Sequence, residues 1–236
     1  MRRPILYTYT ILSYSVLYPF TFFIVITILM LHSVGFKKKI PLIIKFWASG
    51  SFLMIGKFYK IEGREHFDPN RKYIILTNHS SLFDIMGIMS ICSKVSWFGR
   101  ANLMQIPVFG KVLRIINYIP MQTTDLKNTK DMVGQLIKST ENQTVAIFPE
   151  GTRTTTGNLN RFHKGFLHVL KASQLDILPV TLKGFYEFKP KNRFYFNYPV
   201  KLSARIHPPI SFKGLEKLDD REIIETVRAH IESALI

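Results

Sequence analysis

The sequence predicts an α/β domain, a mixed, mostly parallel sheet flanked by helices, with an N-terminal hydrophobic membrane helix or helical hairpin in front of it. Two observations carry this. From about residue 58 onward, short strand-like runs alternate with helix-like runs, the order expected when helices cross between neighbouring strands. Before that, no Lys, Arg, Asp or Glu occurs from Pro4 to Phe36, a stretch suited to hydrocarbon rather than water.

The apolar stretch is bracketed by Arg2 and Arg3 on one side and Lys37, Lys38 and Lys39 on the other. As one helix it would be about 50 Å long against a hydrocarbon core of about 30 Å, so it must overhang, tilt or break. Pro19 is the candidate break, because proline lacks the N–H that a helix interior needs. Two readings follow: a span over roughly residues 19–36, or a hairpin in one leaflet completed by a second apolar stretch from Ile40 to Ile55. The span is preferred. A cleaved leader shares the basic start and apolar run, but lysines stand where its small cleavage-site residues belong. Residues 1–57 are thus read as a membrane-anchoring segment and 58–236 as one folded domain. The lysines beyond the span (Lys37, Lys38, Lys39, Lys45, Lys57, Lys60) place that domain on the cytoplasmic side.

The expected strands are Phe58–Ile61, Tyr73–Thr77, Val95–Phe98, Asn117–Met121, Thr144–Phe148, Ile177–Leu182, Arg193–Phe196 and Lys201–Ile206. Helices are expected over Ser81–Cys92, Asn102–Ile115, Leu126–Thr140, Lys164–Ala172 and Asp219–Leu235, the last with Ile223, Ile224, Val227 and Ile231 on one side. Composition narrows the function classes. The chain's 236 residues contain 32 Lys and Arg against 16 Asp and Glu, a formal charge of +16 that suits nucleic acid, an acidic lipid surface or a phosphorylated substrate. No recognisable nucleic-acid-binding motif occurs, and the basic residues are spread out, so nucleic acid is not expected as a partner. Cys92 is the one cysteine; a disulfide within the chain is excluded. No HExxH or comparable pair of ligands is found, so no metal is expected.

Two motifs carry candidate chemistry. In Asn78-His79-Ser80-Ser81-Leu82-Phe83-Asp84, at a strand-to-helix turn, a His stands five residues before an Asp. The carboxylate can hold the ring, fix its tautomer and stabilise the imidazolium formed when His79 takes a proton. An equally simple reading makes Asp84 a first-turn helix acid and His79 a bystander. The second motif, Phe148-Pro149-Glu150-Gly151-Thr152-Arg153, also sits where a strand ends. Gly151 permits a backbone conformation that other residues avoid. Glu150 and Arg153 would present a carboxylate and a phosphate-binding guanidinium, or simply pair with each other on a surface turn.

Taken together, Asn-His-x-Ser-x-x-Asp followed, 64 residues after the Asp, by Phe-Pro-Glu-Gly-Thr-Arg resembles the glycerolipid acyltransferase superfamily, and within it the 1-acyl-glycerol-3-phosphate acyltransferases. Arg100-Ala101-Asn102-Leu103, Ile106-Pro107-Val108-Phe109-Gly110, Phe162-His163-Lys164-Gly165 and Ile177-Leu178-Pro179-Val180 extend the resemblance to roughly residues 58–210. One departure is Gln122, where many relatives carry the Arg of Ile-Asp-Arg.

The resemblance implies an acyltransferase catalytic domain in which His79 is general base and Asp84 its orienter. It implies a fatty acyl group moving from acyl-CoA or acyl carrier protein to the hydroxyl of a membrane lysophospholipid, 1-acyl-sn-glycerol 3-phosphate giving phosphatidic acid, in phospholipid biosynthesis. The alternatives are another lysolipid headgroup, which the neutral Gln122 leaves open, or a membrane lipid-binding protein without turnover. The thioester is a co-substrate, and no cofactor is expected. Without a Gly-x-Ser-x-Gly elbow, no acyl-enzyme is expected either. Arg100, Arg153 and Lys164 are the candidate phosphate contacts, Gly151 and Thr152 shape the loop, and Glu150 is expected to position the acceptor.

Overall fold

The computed structural model describes residues 3–121 and 126–235, without the side chains of residues 99–100, 121 and 126–132. In chain order the elements are α1 (Arg3–Ser33), α2 (Ile40–Met54), β1 (Tyr59–Glu62), β2 (Ile74–Thr77), α3 (Asp84–Ile91), β3 (Val95–Ser96), β4 (Phe98–Arg100), α4 (Phe109–Ile115), β5 (Ile119–Met121), α5 (Leu126–Thr140), β6 (Thr144–Ile147), α6 (Gly165–Ser173), β7 (Ile177–Lys183), α7 (Phe185–Phe188), β8 (Leu202–Ile206), α8 (Phe212–Leu215) and α9 (Asp220–Glu232).

Six strands form one sheet in the order β1-β8-β7-β2-β6-β3. Among the described strands of this sheet, β7–β8 is the antiparallel pair and the others run parallel, as the expected mixed, mostly parallel sheet requires. β4 and β5 make a small parallel pair of their own. The central strands are buried on both faces, and their side chains alternate between two cores as the two-residue period of a strand dictates. Ile75, Ala146, Leu178 and Val180 point into a core shared with α1, α2 and α3. Ile74, Leu76, Val145 and Ile147 point into the other, built with α6 and α9. α9 starts at a capping box: the Asp219 side chain accepts the Arg221 and Glu222 N–H groups, and Glu222 accepts the N–H of Asp219 at 2.8 Å.

Three expectations are corrected. Arg193–Phe196 is not a strand. Its backbone and rings are committed elsewhere: Arg193 donates to the Phe188 and Tyr195 carbonyls, and the Phe196 N–H donates to Thr10 Oγ1 at 2.8 Å. The helix expected over Asn102–Ile115 divides into a 3-10 turn, Ala101–Gln105, and α4. Pro107 interrupts it and Val108 takes a φ of +66°. Gly110 then lets the halves approach, since a Cβ there would lie 2.1 Å from the Met104 carbonyl oxygen. α1 continues through Pro19. The missing hydrogen bond is offset by packing just beyond it, where Phe20 meets Phe46 at 5.8 Å and Trp47 Nε1 donates to Thr21 Oγ1 at 3.1 Å. The chain turns back at Gly35 instead, with a φ of +82°.

α1 is the helix long and apolar enough, by length and composition, to cross a membrane. Packed along it, α2 makes the pair a helical hairpin, and both expose large apolar side chains, among them Phe22, Phe23, Met30, Leu42 and Phe46. The N-terminal half of α1 lies on the domain, with Tyr14 against Phe196 and Ser13 bonded to Tyr198.

On the far face, His207 is buried and bonds Thr181 Oγ1 at 2.8 Å. Burial first, then the neighbouring His230, Arg205 and His66, push its pKa down from 6.5 to about 4. The unfolded chain therefore binds this proton before the native state does. The resulting stabilisation is complete above pH 6.5 and is lost as pH falls toward 4. His207→Asn should reduce the acid-limb loss of stability by roughly 1–3 kcal/mol, measured by denaturant melts in detergent between pH 7.5 and 4.5; an identical acid limb would remove His207 as its source.

Candidate active site

β2 and β6 are parallel neighbours, with Leu76 opposite Ile147, so the two motifs that follow them leave the sheet side by side. Parallel pairing thus does what the 64-residue separation alone does not: it puts His79 beside the Glu-Gly-Thr-Arg loop. The contacts are specific. The His79 N–H donates to Glu150 Oε1 at 2.6 Å, and its carbonyl accepts the Thr154 N–H at 2.8 Å. Asn78, one residue earlier, clips to β7 through its side-chain amide, giving to the Leu182 carbonyl at 2.9 Å and accepting the Leu182 N–H at 2.8 Å.

The His79 ring meets Asp84 through Nδ1 and Oδ2 at 2.8 Å. Asp84 is fully buried, and the same oxygen accepts the N–H groups of Ser80 at 2.6 Å and Ser81 at 2.8 Å. An oxygen holding two amide donors acts as an acceptor, which puts the shared hydrogen on Nδ1 and leaves the Nε2 lone pair open. Both readings of Asp84 hold: it opens α3 and it orients the ring. Phe148 backs the imidazole, stacked at 3.8 Å and 14°, and Trp97 stacks on Phe148 at 5.2 Å. The ring is 16 % exposed, against none for Asp84.

Glu150 is placed differently from expectation. It neither faces outward nor pairs with Arg153. It is 1 % exposed, and its two oxygens accept the N–H groups of His79 and, at 2.8 Å, Asn160. Burial raises its pKa although both amides oppose the shift. Gly151 takes the left-handed conformation, φ +66°, that the turn requires; Thr152 is exposed and its carbonyl accepts from Asn160 Nδ2 at 3.4 Å.

Beside the turn lies an apolar cavity of about 440 Å³, walled by Leu17, Ile24 and Ile28 of α1, Met86 and Met89 of α3, and Val112 of α4. Arg153 and Lys189 are the charged side chains on its lining among the described residues. Arg153, an expected phosphate contact, is thus on the cavity wall. Lys164 is not: its ammonium pairs with Asp220 at 3.6 Å, is 68 % exposed, and is absent from the cavity wall. A lysine at the start of α6 meets the acidic first turn of α9 instead. Arg100 ends β4, with its side chain outside the described residues, as is Gln122.

A family model described as Acyltransferase matches residues 59–183. The chain belongs to this acyltransferase family. Among curated relatives, the 1-acyl-sn-glycerol-3-phosphate acyltransferase alpha of Mus musculus is 28% identical over 184 residues, which cover 74% of this chain and 62% of that protein. The 1-acyl-sn-glycerol-3-phosphate acyltransferase of Cocos nucifera is 29% identical over 188 residues, covering 77% and 59%. The match thus spans about three fifths of these relatives' length. Among solved structures, the 1-acyl-sn-glycerophosphate (LPA) acyltransferase PlsC from Thermotoga maritima matches with a TM-score of 0.83 at 24% identity, over 100% of this chain and 97% of that one. At that identity the likeness is one of fold.

In this acyltransferase several residues of the site carry no sequence signal of their own role. Phe148 and Asn78 lie inside the motifs, but their use as ring backing and strand clip depends on β2, β6 and β7 being adjacent. Asn160 and Lys189 lie outside both motifs. Lys189 belongs to the basic run Lys189-Pro190-Lys191-Asn192-Arg193, a charge cluster that could have drawn notice. Among the described residues, no group of three His, Cys, Asp or Glu could hold a metal ion.

Glu150→Ala should orphan two amides, destabilising the fold by about 1–3 kcal/mol for each. Thermal or denaturant melts check this. A variant of unchanged stability with only a raised acceptor KM would show that the carboxylate serves substrate rather than the loops.

Proposed function

We propose that this acyltransferase moves a fatty acyl group from acyl-CoA or acyl carrier protein to the free hydroxyl of a lysophospholipid. Its acceptor is 1-acyl-sn-glycerol 3-phosphate and its product phosphatidic acid, made during phospholipid biosynthesis. The observation that supports this best is an oriented His79–Asp84 pair beside an apolar cavity with cations on its wall. The names printed for the relatives from Mus musculus and Cocos nucifera point to the same acceptor.

The chemistry follows from the geometry. An alcohol becomes a competent nucleophile as it loses its proton, and His79 Nε2 takes that proton while the oxygen bonds to the thioester carbonyl. Asp84 holds the resulting imidazolium. When the tetrahedral adduct collapses, the C–S bond breaks, and the imidazolium returns the proton to the departing thiolate. Acyl transfer is direct: the Ser80 hydroxyl is directed to Asp84 Oδ1 at 3.5 Å and the Ser81 hydroxyl to the Lys189 carbonyl at 2.7 Å, neither to the His79 ring. Apolar side chains of α1 and α2 lie in the bilayer, where both acyl chains already reside, and the domain faces the cytoplasm, where thioesters are made. Residues 1–57 act as the anchor for the domain at 58–236.

His79→Ala should lower turnover roughly 10²–10⁴-fold, with fold and membrane attachment retained, in an assay reading thiol release and product mass against several lysolipids with both donors. Asp84→Asn should lose a comparable factor through the wrong tautomer. Full turnover by His79→Ala, or free fatty acid as the product, would end the reading.

A further inference from the structure

Two cations share the cavity wall with almost nothing to neutralise them. Arg153 leaves the turn after β6; Lys189 follows α7, more than thirty residues later. They are brought together because Ser81, two residues after His79, bonds the Lys189 carbonyl and bridges to Pro190. Both are half-buried. No ion pair among the described residues involves either side chain.

Two other cations, Arg193 and Lys164, are otherwise engaged. Arg193 has its guanidinium on the carbonyls of Glu187, Phe188 and Tyr195 and over the Tyr195 ring at 5.0 Å. Lys164 is paired with Asp220. Among the described residues, the Lys189 ammonium donates only to the adjacent Pro190 carbonyl, at 3.1 Å. Its pKa is lowered by burial first and by Arg153 and Arg193 next. Like charges held together without an acid raise each other's energy, and an anion placed between them relieves both.

We infer that Lys189 is a phosphate-binding residue of this site, forming with Arg153 a two-cation clamp for the phosphomonoester head of the lipid acceptor. This rests on the acceptor proposed above. The placement accounts for the choice of anion. Arg offers a planar fork to two oxygens, Lys adds a point charge to the third, and the apolar wall beside them takes the acyl tail. The Ser81–Lys189 bond ties the clamp to the His79 loop, so a phosphate seated on it presents its glycerol hydroxyl at a set distance from the base. Lys189 is a substrate contact here, not a proton carrier.

The test separates this from the proposed reaction. In a His79→Ala background, where acceptor stays unreacted, equilibrium binding is measured for lysophosphatidate, for the same lipid lacking phosphate, and for inorganic phosphate. Lys189→Gln should weaken lysophosphatidate binding about tenfold or more, leave the phosphate-free lipid unchanged, and be largely restored by Lys189→Arg. Lys213→Gln, an exposed charge on α8, should change nothing. In the active enzyme, Lys189→Gln should raise the acceptor KM and spare that of the donor. Unchanged lysophosphatidate affinity, equal loss for both lipids, inorganic phosphate binding as tightly as the lipid, or a raised donor KM would each overturn the clamp. Because the binding arm needs no donor, it answers even if turnover fails, and turnover without a Lys189 effect rejects the clamp alone.

Discussion

A carboxylate buried between two loops holds the candidate centre together. Glu150 lies at the end of β6, takes the backbone N–H of His79 on one oxygen and that of Asn160 on the other, and is sealed from water. Removing a carboxylate from water is costly, and two charge-assisted bonds of about 1.5–3 kcal/mol each offset only part of that cost. The raised pKa says that burial still outweighs them. That balance has a structural consequence. The carboxylate is tolerated because it fixes the His79 peptide, and with the Thr154 N–H on the His79 carbonyl the peptide is gripped from both sides.

The same arrangement explains the division of labour among the acidic groups. Glu150 positions the main chain of His79, whereas Asp84 positions its ring. Neither carboxylate is spread along the cavity wall, whose charged members are Arg153 and Lys189. A lining that is apolar along its length and positive where the turn meets it attracts anionic head groups on apolar tails.

The N-terminal hairpin is also part of this architecture. Leu17, Ile24 and Ile28 of α1 are buried in the core that contains Ile75 and Val180 of the sheet, and they wall the cavity. Lys57, just past α2, donates to the carbonyls of Tyr198 and Val200, and burial lowers its pKa. The segment between α7 and β8 is thereby tied to the hairpin, with Thr10 holding Phe196 and Ser13 holding Tyr198. One helix thus has two jobs at once: its outer face presents Phe22, Phe23 and Met30, and its inner face shapes the pocket.

The alternation of element types, the apolar N-terminal helix and the candidate His79 and Asp84 pair were all legible in the sequence, because each rests on local causes: a two-residue or 3.6-residue period, a charge-free run, a five-residue separation across a strand-to-helix turn. The pairing order of the strands was not legible, since hydrogen-bonded neighbours such as β2 and β6 are brought together by the whole core. From that order came what residue spacing does not encode. Glu150 turned inward, onto two main-chain amides, because His79 lay across from it. Lys164 found Asp220 because α6 and α9 start near each other. Lys189, remote in the chain and outside both motifs, arrived beside Arg153 through the Ser81 hydroxyl and the Ser81–Pro190 bridge. The run Arg193–Phe196 has a strand-like composition, yet it surrendered its ladder to α1 and to its own guanidinium. Local chemistry decided which residues could act; long-range packing decided which of them meet, because a contact between distant residues depends on the entire fold rather than on the sequence around either one.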